Sequence, residues 1–172
     1  METPAIPPPA PSPKEANHQT DLAPTLHLKR PCLTIADLDR SLVLYRDTLG
    51  FRLDYVGEAS PESYLYPVFD LPANAQLRFA ALSTAREPRA LALTEVKGIE
   101  LPPPPTPRRA AIVIQVPDVA STIETLHSLE LHIIRSSSFT APPNLRFTEQ
   151  AFFDYDHHLI VLYDVKPENK LD

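Results

Sequence analysis

With 172 residues, the chain is long enough for one compact domain with a real core and too short for two large ones. Its 16 basic residues against 22 acidic ones leave a formal net charge of -6, which argues against a phosphate-tracking surface and so against a nucleic-acid partner. The single cysteine, Cys32, excludes an intrachain disulfide and a thiolate zinc cluster, and the three glycines cannot build a glycine-rich phosphate cradle. No apolar run approaches the roughly 20 residues that span a bilayer, and residues 1–24 lack the basic and apolar regions of a secretory signal. A cytoplasmic protein with no membrane partner is expected.

In chain order, residues 1–24 are rich in proline and small polar residues, and read as a disordered tail. The segment 26–36 reads as a strand, and Asp37 as the N-cap of the helix that follows. Leu38, Leu42, Tyr45 and Leu49 make one apolar stripe along that helix, and Gly50 stands where a left-handed C-terminal cap belongs. Strands are expected at 51–56, 76–82 and 90–96. The prolines at 102–105 and Pro107 read as a semi-rigid extended connector. Beyond it the pattern returns: an apolar strand near 111–116, Asp118 as N-cap, a helical stripe of Val119, Ile123, Leu126 and Leu129, and strands near 131–135, 146–154 and 159–164.

The chain therefore carries one βαβββ unit twice, each copy too small to bury its own apolar face. The expected division is a tail at 1–24, a domain at 25–166 made of module one (25–98), a linker (99–108) and module two (109–166), and a tail at 167–172. Asp37 to Arg78 spans 41 positions and Asp118 to Arg146 only 28, so the first copy holds an insertion around 60–74. Its Tyr64, Tyr66 and Phe69 predict a segment folded back over the sheet, as a lid or as a cap on the core edge.

The helix entry Asp37-Leu38-Asp39-Arg40-Ser41-Leu42, with Tyr45-Arg46-Asp47 and Leu49-Gly50-Phe51, and the terminal Phe153-Asp154-Tyr155-Asp156 leading to Leu159-Ile160-Val161-Leu162, resemble the vicinal oxygen chelate superfamily. That superfamily holds glyoxalase I, extradiol dioxygenases, and fosfomycin- and bleomycin-resistance proteins. The resemblance covers about residues 26–165. It implies an α+β fold in which two βαβββ modules form curled mixed sheets around a concave cleft, with helices on the outer faces. In the enzyme members a divalent metal sits on the concave face. The places corresponding to the metal ligands hold Arg30, Ala111 and Val161 here, with Ala92 in the first module and Glu95 three residues on. An arginine repels a divalent ion and the others offer no donor, so no cofactor is expected. The alternative is one divalent ion bound by unusual ligands such as His27 and Glu95, serving a lyase, dioxygenase or isomerase.

If Leu33 and Ile35 pack on the helix, strand alternation sends Arg30, Cys32 and Thr34 to the concave side, and in the second copy Ala111, Val113 and Gln115. Arg30, Cys32, Thr34, Gln115 and Tyr163 are the candidate ligand-binding residues: mostly apolar walls with a few orienting groups. Arg30 could grip a carboxylate or phosphate with its planar fork, or pair internally with Glu95 or Glu149. Glu149 is the candidate general base, and Cys32 reads as a small hydrophobe before a nucleophile. Arg78 and Arg146, each followed by Phe, occupy matching places and suggest structural ion pairs. His157-His158 read as a polar turn at a position that often takes positive φ. The expected protein binds an apolar or aromatic small molecule, anionic in the case that Arg30 grips it, and forms a two-fold homodimer.

Overall fold

The computed structural model describes residues 28–168. His27, the tail at 1–24 and residues 169–172 lie outside that range. Module one runs β1 (Cys32–Ile35), α1 (Leu38–Leu42) continuing as a π-helical segment (Val43–Thr48), β2 (Arg52–Glu58), α2 (Leu65–Val68), β3 (Gln76–Ser83) and β4 (Leu91–Lys97). Module two runs β5 (Ile112–Gln115), α3 (Val119–His127), β6 (Ser137–Ala141), β7 (Leu145–Phe153) and β8 (Leu159–Pro167). The strand orders are β1-β4-β3-β2 and β5-β8-β7-β6, the same plan twice. In each sheet the first strand lies parallel to the last and the other pairs are antiparallel. The fold is the two-module α+β architecture expected from the sequence.

Both helices begin as the sequence predicts. Asp37 and Asp118 sit in extended backbone and accept the N–H of Arg40 (2.9 Å) and of Ser121 (2.8 Å). Capped in this way, α1 lays Leu38, Leu42, Leu44 and Tyr45 against Ile35, Leu91 and Leu93 of its sheet. In the second module α3 lays Val119, Ile123 and Leu126 against Phe152, Ile160 and Leu162. These residues form one continuous core, so the helix-facing sides of the two sheets share it. Leu44 is fully buried although the α-helical period skips it, because the helix widens there: Leu49 N–H reaches the carbonyl of Leu44, five residues back, at 2.9 Å.

Two expected elements come out differently, and the insertion folds as expected. Within the described part of the strand expected at 26–36, β1 begins at Cys32, since Pro31 has no N–H to give; its carbonyl accepts from Ala92 at 3.1 Å instead. The strand expected at 131–135 makes one isolated bridge, Ile133 to Phe152, while the hydrogen-bonded ladder partner of β7 is Ser137–Ala141. Leu131 and Ile133 owe their apolar character to packing on the core. The insertion forms the short α2 and folds back: Leu65, Tyr66 and Leu71 cover Leu77 and Val96, and the Tyr66 hydroxyl donates to the Ala75 carbonyl at 2.9 Å. Tyr64 stays 80% exposed.

Candidate functional site

Pairing register decides which side chains share a face. In the first sheet Cys32 stands beside Ala92 and Thr34 beside Thr94, which in turn pairs with Phe79. Leu33, Ile35 and Leu93 belong to the core, so Cys32, Thr34, Thr94 and Phe79 point to the opposite, concave face. The Cys32 Sγ lies 3.4 Å from Thr94 Oγ1. Arg30 reaches over this row with its guanidinium carbon 5.6 Å from the Phe79 centroid, within cation–π range. Tyr55 completes the patch, its ring centroid 6.5 Å from that of Phe79 and its side chain 54% exposed. Of the two carboxylates suggested as internal partners for Arg30, Glu95 is engaged elsewhere.

In the second sheet, Gln115 pairs with Tyr163 and Tyr163 with Glu149. The Tyr163 hydroxyl donates to Gln115 Oε1 at 3.4 Å, and Glu149 is half-buried beside them. The register thus gathers three separately chosen residues into one polar row on the concave face, flanked by the stacked rings of Phe139 and Phe147 at 5.0 Å. Thr34 has a further role through its backbone. Its carbonyl accepts a hydrogen bond from His158 Nε2 at 2.8 Å, so His158 joins the two modules from a turn in which His157 takes a φ of 63°.

Glu95 faces the helix. It is buried and accepts from Leu38 N–H at 2.8 Å, while Arg78 Nε donates to its other oxygen at 2.8 Å and Lys97 lies 3.6 Å away. The hydrogen bond to Glu95, more than any other factor, raises the Arg78 pKa above its ordinary value. Asp164 does the same work in module two, accepting from Val119 N–H at 2.7 Å with Lys166 at 3.6 Å. Each helix is thus held at its N-terminus by a buried acid on the last strand, where the helix dipole favours negative charge. Sequence reasoning missed this pair, although the signal was present: Glu95-Val96-Lys97 and Asp164-Val165-Lys166 are matching tripeptides.

The equivalence of Arg78 and Arg146 fails by two positions. Arg78 pairs across from Glu95, but Asp164 is faced by Thr148, and Arg146 lies exposed opposite Lys166. The Leu-Arg-Phe match is a likeness of letters, whereas the ladder aligns Leu77 with Phe147. Arg78 makes the structural ion pair expected of it, with Glu95 and with Asp39 at 3.5 Å.

The family's ligand places do not fit a divalent ion. The row through the family's ligand places consists of Cys32, Ala92 and Ala81 in one sheet and Val113, Val161 and Ala151 in the other, with a single sulfur and no oxygen or nitrogen donor among these side chains. Among the described residues, no three of His, Cys, Asp and Glu converge to hold a metal ion.

A family profile described as the Glyoxalase/Bleomycin resistance protein/Dioxygenase superfamily matches residues 26–162. The chain belongs to that superfamily. No curated protein matches it. Among solved structures, a glyoxalase family protein from Bacillus cereus superposes with a TM-score of 0.64 at 12% identity, over 84% of this chain and 97% of that one. The trypanothione-dependent glyoxalase I of Leishmania major gives 0.56 at 19% identity, over 81% and 87%. A genomically encoded fosfomycin resistance protein from Listeria monocytogenes gives 0.51 at 15% identity, over 86% and 96%. At these identities the likeness is one of fold. Among the described residues no helix is long and apolar enough to cross a membrane.

Proposed function

We propose that this superfamily member binds an apolar or aromatic small molecule carrying an anionic group, on the concave face of the first sheet and without a divalent metal. The observation that carries this reading is the Arg30 guanidinium lying over Phe79 at cation–π distance beside the exposed Tyr55. A cation–π contact of this kind leaves the N–H fork free for a carboxylate, while the two rings offer a platform for an aryl body. Thr94, Thr34 and Cys32 form a small, weakly polar floor, and the row of Gln115, Tyr163 and Glu149 offers orienting groups on the second sheet. The exposed Tyr55, Val113 and Phe139 favour pairing of two copies, and dimeric mass in light scattering at micromolar concentration is the expected outcome.

Two measurements test the reading together. Phenylacetate is expected to bind the wild-type protein and to bind Arg30→Met at least about tenfold more weakly, as loss of a charge-assisted pair requires. A metal held at about 100 times its dissociation constant would raise the melting temperature by about 5 to 11 °C, whereas Zn, Mn, Fe(II), Co and Ni are each expected to shift it by less than about 2 °C. One equivalent of tightly bound metal would overturn the reading and favour a metal-dependent lyase or dioxygenase.

A further inference from the structure

A cavity of about 450 Å³ opens where the starts of β1 and β5 meet the proline-rich linker and the turn into β8. Cys32 lines both this cavity and the face described above, but Arg30, Thr34, Gln115, Tyr163 and Glu149 do not line it, so the two adjoin at β1 and differ in their polar groups. Its walls are apolar: Pro31 and Leu33 from β1 and its approach, Pro104 and Pro105 from the linker, and Ile112 and Leu159 from β5 and β8. Its charge is one-sided. Arg108, Arg109, His157 and His158 line it and no carboxylate does, in a chain whose formal net charge is -6. Another cavity, of about 480 Å³ beneath the insertion, mixes Glu58 and Glu95 with Arg78 and Lys97.

The walls are fastened in place. Arg108 Nη1 donates to the Pro104 carbonyl at 2.7 Å and its guanidinium lies 5.0 Å from the Phe153 centroid, which pins the linker across the mouth. His158 Nε2 is anchored on Thr34, holding the turn against β1. Prolines add rigidity, so little ordering entropy opposes binding. Arg109 and His157 are exposed and remain at the rim to meet an anionic group.

From this arrangement we infer that the seam between the modules is a second binding site, for a monoanionic molecule with a compact aryl or branched-alkyl body, its carboxylate at the Arg109 and His157 rim and its body against the prolines, Ile112 and Leu159. The volume lies within the range of small-molecule pockets, about 300–1,000 Å³. The site shares Cys32 with the Arg30 face but takes its anion at different residues.

Titration of the full chain with naphthalene-2-carboxylate, followed by backbone amide chemical shifts, tests the inference. Shifts are expected to gather on Ile112, His158 and Leu159. The neutral naphthalene-2-carboxamide should bind at least about tenfold more weakly, the effect of losing a charge-assisted contact. Arg109→Ala combined with His157→Gly should weaken the carboxylate at least about fivefold; both positions are exposed and glycine accepts the left-handed φ of 63° at 157, so the fold is retained. Arg30→Met should leave unchanged the affinity read from the Ile112, His158 and Leu159 shifts, whatever it does to binding on the first sheet. Equal affinity for the amide, loss of the Ile112, His158 and Leu159 shifts in Arg30→Met, or no saturation of those shifts up to about 5 mM would each overturn it.

Discussion

Two buried carboxylates do the same work under different conditions. Glu95 has an arginine against it, whereas Asp164, at the equivalent place, has Thr148 across the ladder, and its Oδ1 is left without a hydrogen-bond partner. A buried acceptor without a donor costs about 1–3 kcal/mol. Thr148→Arg reproduces the geometry of Arg78 and is expected to stabilise the protein by about 1 kcal/mol, since the pair would remain partly open to water. In a thermal scan that reads as a rise of about 2–4 °C. Neither acid was legible as a structural group from its own surroundings in the sequence, because an acid two residues before a lysine on a strand looks like a solvated edge. Only the comparison of the two copies, made through the pairing ladder and not through the Leu-Arg-Phe letters, exposes the device.

At the scale of elements, the helices were the most legible parts and the edge strand the least. A cap residue followed by an apolar stripe has few other physical meanings, so both starts were placed to the residue. The polar run Ser136-Ser137-Ser138 has no period to betray that it becomes β6, and the apolar residues before it attract the strand assignment instead. The widened helix in module one has a simple origin. Left-handed residues end both helical segments, Gly50 with φ 83° and Glu130 with φ 55°, but Asp37 to Gly50 spans 13 positions and Asp118 to Glu130 spans 12. The extra residue is absorbed as π-helix. Asp118 carries a pH signature: the Lys166 ammonium, then the Ser121 N–H, hold its carboxyl down at about 2 against an ordinary 3.8. A lowered native value stabilises the fold above the unfolded pKa and is lost as pH falls through the folded one. Asp118→Asn keeps the capping oxygen and removes the charge. Its melting temperature is expected to fall below wild type at neutral pH, with the gap closing between about pH 4 and pH 2.

Across the whole molecule, the modules are joined by more than the chain between them. The Tyr45 hydroxyl donates to Asp154 Oδ2 at 2.7 Å, both groups being buried, and burial followed by the Asp154 charge pushes the phenol pKa well above its ordinary value. Asp156 accepts from Ala36 N–H at 2.8 Å, and Arg40 lies over the Tyr155 ring at 4.7 Å. Tyr45→Phe is expected to cost about 1.5–2 kcal/mol, toward the low end for a bond to a charged group, because Asp154 keeps two backbone donors from Asp156 and His158. Urea unfolding of Tyr45→Phe, Asp154→Asn and the double variant would show the coupling directly. The candidate residues Gln115, Tyr163 and Glu149 were individually picked from the sequence; that they form one row required the ladder, which alternation alone does not align. A core that runs unbroken through both modules, with a clasp of hydrogen bonds from one turn, also means that the proline connector carries little of the cohesion. Cut there, the two halves would behave as complementary fragments, each unfolded by itself and restored by mixing, which makes this chain a natural scaffold for a split reporter.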